Sequence, residues 1–245
     1  MPYQLYDAIT LKTSAKNAQA IVVSSKIEYE DAVAFGIAKE KIHIIPMGID
    51  VEALDKKSSE SENLQILFVG RIARVRRIEL LLQAVSQLRI PFHLTIVGGE
   101  EKTSSITRTG YLNELKQLTK QLDLENRVTY VGKKQPVELK ALYRSADVFV
   151  YPSLYENFGQ PLIEAAAHGL PLISTPVGIA REIVIEGETG FQVSGVPEVI
   201  RDRIESLKDT NLRLQMGCRI QTEIKNRFDW RKIIAQYMDL YRSLS

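Results

Sequence analysis

The chain has 245 residues, 44% of them hydrophobic and 25% charged, a balance that excludes a disordered, collagen-like or disulfide-knit chain and suits one or two globular domains. Its 32 basic and 30 acidic residues leave a net charge of +2, so no chain-wide field calls for a nucleic-acid partner, and no apolar run is long enough to span a membrane. The single cysteine, Cys218, excludes an intrachain disulfide and a thiolate-rich metal site; together with an N-terminus lacking a signal-peptide core, it makes a cytoplasmic chain the expectation.

Short apolar runs that end at glycine or proline alternate with amphipathic stretches. The first unit reads as a strand over 20–23, a helix over 26–35 closed by Gly36, and a strand over 42–45. The polar, serine-rich stretch 55–63 is the best linker in the chain. Beyond it, strands over 65–69, 93–97, 128–131, 148–151 and 170–174 run into Gly70, Gly98-Gly99, Gly132, Pro152 and Thr175-Pro176. Helices are expected between them over 78–88, 112–122, 137–145 and 160–168, and a last amphipathic helix over 229–244. Near-continuous Val, Ile, Leu and Phe runs suit strands buried on both faces. Repeated right-handed crossovers then build an α/β fold, a doubly wound, Rossmann-like parallel sheet that binds ligands beyond the carboxyl ends of its strands. One βαβ unit cannot cover its own apolar faces. The first fifty residues therefore either pack on the main domain or form the tail of a larger one.

Two segments carry candidate chemistry. The first is YENFGQPLIEAAAHGLP, where Pro161 suits the first turn of a helix that Gly169 and Pro171 end. The backbone N–H groups of Asn157, Phe158, Gly159 and Gln160 then cluster at a helix N-terminus, a place that favours phosphate. Glu156 lies in the loop before the helix, and Glu164 lies near its first turn. A carboxylate there can accept two hydrogen bonds from a ribose diol; both glutamates can equally be read as solvated or as complementing the helix dipole. The second segment, GRIARVRRIELLL, gathers Arg71, Arg74, Arg76 and Arg77 at a strand-to-helix turn, where guanidinium forks match phosphate oxygens. Arg71 and Arg76 are expected to face the ligand, and Arg74 and Arg77 the solvent. His43, His93 and His168 read as structural, and no His, Cys and carboxylate cluster has metal-ligand spacing.

On Gly70-Arg71 with Arg76, the E-x7-E pair of Glu156 and Glu164, the following EAAAHGLP and the segment EIVIEGETGFQV, the chain resembles the C-terminal, donor-binding half of GT-B fold glycosyltransferases of family 4, the group 1 glycosyl transferases. The resemblance runs from about Ala20 to the C-terminus and implies a nucleoside diphosphate sugar donor (UDP-, GDP- or ADP-sugar), a hydroxyl acceptor and no cofactor or metal. It implies that Gly70, Arg71 and Arg76 meet the donor diphosphate, that Glu156 stands at the reacting centre, that Glu164 holds the ribose, and that Asn157, Phe158 and Gly159 help bind the donor, the last two through backbone amides. Arg71, Arg76 and Glu156 are thus the catalytic candidates. It further implies retaining hexosyl transfer by front-face displacement, in which the leaving phosphate helps deprotonate the acceptor. Arg76 stands where the family has lysine, Arg77 where it has glycine, and Ile179 where it has the second glycine of a Gly-Gly pair.

The expected organisation is a tail of an acceptor-side domain over 1–54, a nucleotide-sugar-binding domain over 64–228 and a terminal crossover helix over 229–245. The alternative is a catalytically incompetent, truncated or split module that binds nucleotide sugar or pairs with a separate N-terminal domain. A homodimer and peripheral membrane contact by the terminal helix remain open.

Overall fold

The computed structural model describes residues 11–51, 62–100 and 110–245. The first ten residues and most of the expected linker lie outside the described residues. The described residues begin with helix α1 (Lys12–Asn17), strand β1 (Ile21–Val23), helix α2 (Lys26–Ala34) and strand β2 (Ile42–Ile44). β1 and β2 pair in parallel, Ile21 opposite Ile42, and form a sheet of their own. Ser25 caps α2, accepting a hydrogen bond from the N–H of Glu28, while the Glu28 carboxylate reaches back to the N–H of Ser24 at 2.7 Å.

The second sheet has six strands, β3 (Leu64–Val69), β4 (Phe92–Val97), β5 (Val128–Gly132), β6 (Val148–Tyr151), β7 (Leu172–Ser174) and β8 (Gly190–Gln192), in the order β5-β4-β3-β6-β7-β8. Every pairing is parallel. The chain starts in the middle at β3, winds outward through β4 and β5, and returns to the other side of β3 as β6. The winding sense therefore reverses between β3 and β6, where Ile66 faces Val148 and Leu67 faces Phe149. In a doubly wound sheet this reversal opens a crevice beyond the carboxyl ends of those two strands. All four residues of β6 and five of the six in β3 are buried, which is why the two strands read as continuous apolar runs.

The crossover helices are α3 (Ile78–Ser86), α4 (Tyr111–Gln121), α5 (Pro136–Ser145), α6 (Gln160–Ala167) and the single turn α7 (Ala180–Ile183), and α8 (Pro197–Ser206) and α9 (Thr210–Arg227) follow the last strand. α3 packs on α8 and α4 on one face, and α6 packs on α9 on the other. Four of the expected strands match β3 to β6 to within a residue at each end. β7 starts at Leu172 rather than at 170, because the N–H of Leu170 still bonds to Ala165 O and closes the end of α6. The sequence reading did not mark α1, α7, α8, α9 or β8.

The last helix, α10 (Trp230–Leu244), starts at Asp229, whose side chain accepts from the N–H of Arg231 at 2.9 Å. It runs back to the first sheet. Ile233 and Leu240 join Ile45 in a small core separate from the main one, flanked by Ala20, Tyr237 and Leu244. Residue 49 and the turn before α10 are stitched by Ile49 N–H to Phe228 O at 2.7 Å and Trp230 N–H to Ile49 O at 3.2 Å. Among the described residues no helix is long and apolar enough to cross a membrane.

Candidate active site

The switch between β3 and β6 brings the two candidate segments together. Arg76 ends a short 3-10 turn (Arg74–Arg76) between β3 and α3, and its side chain passes beneath the loop that follows β6. Its guanidinium donates to Ser153 Oγ at 3.0 Å and Tyr155 O at 2.9 Å, and pairs with Glu156 Oε1 at 2.7 Å. The two side chains are only 7% and 16% exposed, so the pair stands in low dielectric where each charge needs the other. The Tyr151 hydroxyl donates to the same carboxylate. Burial raises the Tyr151 pKa beyond any working pH, with the charge of Glu156 adding to the shift and those of Arg76 and Arg71 opposing it. Tyr151 is therefore a permanent donor. The Glu156 side chain is held at two points, by Arg76 and by Tyr151.

Glu164 lies one turn into α6 and accepts from the Tyr143 hydroxyl at 2.9 Å. Burial raises its pKa above the ordinary 4.5, against the lowering effect of hydrogen bonds from Tyr143 and Gln160. It lines a hollow of about 220 Å³ with Ile49, Asp50, Lys134, Leu139, Tyr143 and His168. Arg71, exposed at the end of β3, lines a second hollow of about 250 Å³ with Gly98, Gly99, Lys133, Lys134 and Leu139. The two hollows share Lys134 and Leu139 in their walls, so Glu164 and Arg71 line adjoining hollows. Gly70 lines the Arg71 hollow too.

The remaining candidates have mixed placements. Asn157 is exposed and its carbonyl accepts from Ser25 Oγ at 2.7 Å, tying the first sheet to the site loop. The Phe158 side chain is buried against Phe228, and its carbonyl accepts from the N–H of Ile179 at 2.7 Å. Gly159 caps α6 in a left-handed conformation, φ 92°. With the carbonyls of 157 and 158 committed inside the protein, the N–H groups preceding α6 are the part of this segment suited to an anion.

Two expectations need correction or refinement. Arg77 does not face solvent. It is half-buried, in left-handed backbone at φ 49°, and donates through Nε to Pro152 O at 2.8 Å. The left-handed turn sends its side chain back under the end of β6 instead of outward along α3. Ile179, in place of the second glycine, sits in ordinary helical backbone at φ −69° with its side chain buried, so no glycine is required there. Only Gly178 is, at φ 47°, where a Cβ would stand 2.3 Å from Phe158 O. Arg74 is exposed, as expected, paired with Glu114 and lying over the Tyr111 ring.

Reading the sequence missed Lys133 and Lys134, Tyr143 and Tyr151. The lysines carry the same signal as Arg71, cations directly after a strand-ending glycine, Gly132. The tyrosine rings are buried in the core, and only their hydroxyls reach the carboxylates. Among the described residues no group of three or more His, Cys, Asp or Glu is placed to hold a metal ion. His168 is buried, with Nδ1 bonded at 2.8 Å to the carbonyl of Glu164. His93 bonds Thr129 across the β4–β5 pair at 3.0 Å.

The fold and the site define an open, doubly wound α/β unit with its charged groups gathered at the switch point, the C-terminal half of the GT-B architecture. Residues 50–222 match the family model of glycosyl transferases group 1, and the chain belongs to that family. Over 248 aligned residues it is 29% identical to the D-inositol 3-phosphate glycosyltransferase of Corynebacterium urealyticum, with 93% of this chain and 57% of that protein covered. The sucrose-phosphate synthase of Thermosynechococcus elongatus superposes with a TM-score of 0.84 at 29% identity, over 95% of this chain and 60% of that one. HepE of Anabaena, solved in complex with UDP and glucose, shares the fold with a TM-score of 0.87 at 23% identity, over 98% of this chain and 67% of that one. The chain thus spans little more than half the length of the curated relative described.

Proposed function

We propose that this chain is the donor-binding half of a retaining glycosyltransferase that moves a hexosyl group from a nucleoside diphosphate sugar, UDP-linked, to an acceptor hydroxyl. The carrying observation is the pair of adjoining hollows at the switch point, one lined by Glu164 and the other by Arg71, with Lys134 and Leu139 in the walls of both. In this reading Glu164 receives the ribose hydroxyls, Arg71 and the α6 N-terminus face the diphosphate, and Lys134 flanks the nucleoside. Glu156, fixed by Arg76 and Tyr151, stands beside the anomeric carbon. The preference for UDP comes from HepE, which was solved with that nucleotide.

Transfer breaks the bond between the anomeric carbon and the diphosphate oxygen and forms one to the acceptor oxygen on the same face. The acceptor proton passes to the leaving phosphate. The chain contributes position and charge: Arg71 offsets the growing charge on the leaving group, and the Glu156 carboxylate stabilises positive charge at the sugar. Arg76 has a divided role, because a bond from it to the diphosphate has to compete with Glu156, Ser153 and Tyr155. The lone cysteine suits a reducing, cytoplasmic setting.

A second reading is a module that acts only with a partner domain. The observation that favours it is the apolar surface around the first sheet, where Val22, Ile44 and Met47 are exposed, as are Ile234, Met238 and Tyr241 of α10. Calorimetric titration of the chain with UDP, GDP and ADP tests the first reading. Saturable binding of UDP in preference to the other two is expected, and no saturable binding of any of the three overturns it. Sedimentation tests the second, which a well-behaved monomer that turns over donor alone would sink.

A further inference from the structure

Arg77 occupies a conformation that its own side chain opposes. At φ 49° and ψ 44° it lies in the left-handed region, which is disfavoured for any residue with a Cβ. Such strain persists where the surroundings over-determine it. Here they do so through the guanidinium. Nε donates to Pro152 O at 2.8 Å and Nη2 to Ser153 O at 3.3 Å, the latter carbonyl also receiving the Thr175 hydroxyl. The fork rests against Gly195, where a Cβ would stand 2.2 Å from Nη1. Room for the guanidinium exists because residue 195 carries no side chain.

The preceding residue grips the next stretch of the same loop. Arg76 takes Ser153 Oγ, Tyr155 O and the Glu156 carboxylate. Two consecutive arginines thus hold consecutive parts of one segment, Arg77 its root at the end of β6 and Arg76 its tip. We propose that Arg77 is a positioning residue: its guanidinium, seated on Gly195, fixes the root of the 152–156 loop and through it the place of the Glu156 carboxylate. The importance of that place rests on the donor-site reading. The clamp itself is a property of the protein without nucleotide. Arg77 acts on backbone carbonyls, so its effect is on the order of the loop. A merely structural arginine would instead support the whole domain evenly.

Hydrogen exchange of the full chain without nucleotide separates these cases, using Arg77→Gly, Gly195→Ala and Arg77→Lys. Glycine suits the left-handed backbone and removes the fork. Alanine at 195 keeps Arg77 in the sequence but occupies its seat. Amides over 153–159 are expected to exchange about tenfold faster in both variants while β3, β4 and β6 keep their protection. Arg77→Lys is expected to fall between them and the wild type, since an ammonium can still reach one carbonyl. Unchanged exchange over 153–159 in both Arg77→Gly and Gly195→Ala overturns the proposal, and so does an equal acceleration throughout the six-stranded sheet. Titration of UDP into the wild type is read separately: its failure removes the donor-site reading and leaves the loop result standing.

Discussion

The two sheets of this molecule are closed in different ways. The six-stranded sheet covers both faces with its own helices, and its central strands β3 and β6 bury nearly every residue. The two-stranded sheet has one helix between its strands, borrows α10 from the far end of the chain, and has a separate core of three buried residues, Ile45, Ile233 and Leu240. Val22 and Ile44 stay 38% and 40% exposed. The difference teaches where the candidate site residues lie. Arg71, Arg76, Glu156 and Glu164 all stand on the carboxyl edge of the larger sheet. The smaller one touches that edge through a few polar contacts, Ser25 to Asn157 O and Lys26 N–H to Glu182 at 2.9 Å among them, and through Ile49 and Asp50 beside Glu164.

Breaking the seam gives the largest effect. Phe228 is fully buried, packs on Phe158 and offers its carbonyl to Ile49. Phe228→Ala is expected to cost about 3–5 kcal/mol in urea unfolding and to loosen both sheets. Ile233→Ala sharpens the contrast: a loss of about 2–4 kcal/mol confined to the small core should speed exchange in β1 and β2 and leave β3 to β6 protected. Equal loss of protection in both sheets would show a single cooperative unit, and the two regions would then differ in covering alone.

Within the larger sheet the sharpest probe is Glu164. Glu164→Ala is expected to weaken UDP binding by about 1.5–3 kcal/mol, the range for hydrogen bonds to a charged group, as read by calorimetry. The pH dependence carries a second signature. Because burial raises the folded pKa of Glu164 above the ordinary 4.5, the carboxylate proposed to receive the ribose is lost at a higher pH than usual, and UDP affinity should fall as pH drops through that raised value. Stability moves in the opposite sense. The contribution from a raised carboxyl pKa is fully present below the unfolded value and is lost as pH rises through the folded one. Glu164→Gln should flatten both profiles, and a profile identical to the wild type would remove Glu164 from the ribose role.

The larger sheet was legible because its strands are buried on both faces and end at glycine or proline. β8 was not, since three residues, Gly190–Gln192, show no period. α9 was missed for another reason: its buried Met216, Ile220 and Ile224 form one narrow stripe in an otherwise polar helix. At the site, residue types marked the groups to consider but not which of them meet. Which arginine meets Glu156 depends on β6 returning beside β3, a fact of topology that spacing along the chain does not carry. The conformation of Arg77 was beyond reach for the same reason, because what stabilises it is the space at Gly195 and the carbonyls of Pro152 and Ser153.

The smallest expected effect tests the division among the four arginines. Arg74 lies in the same turn as Arg76 but points away from the crevice, paired with Glu114 at 53% exposure on each side and lying 5.1 Å from the centre of the Tyr111 ring. An exposed pair of this kind contributes about 0–1 kcal/mol, so Arg74→Ala should shift the unfolding midpoint little. Tyr111 still anchors the start of α3, because its hydroxyl accepts from the N–H of Ile78 at 3.1 Å whether or not Arg74 is present. UDP affinity should be unchanged, since Arg74 lines neither the hollow of Arg71 nor that of Glu164. A loss of about tenfold in that affinity, some 1.4 kcal/mol, would mean that the turn before α3 reorients on binding and that the arginines now split between cleft and surface act together.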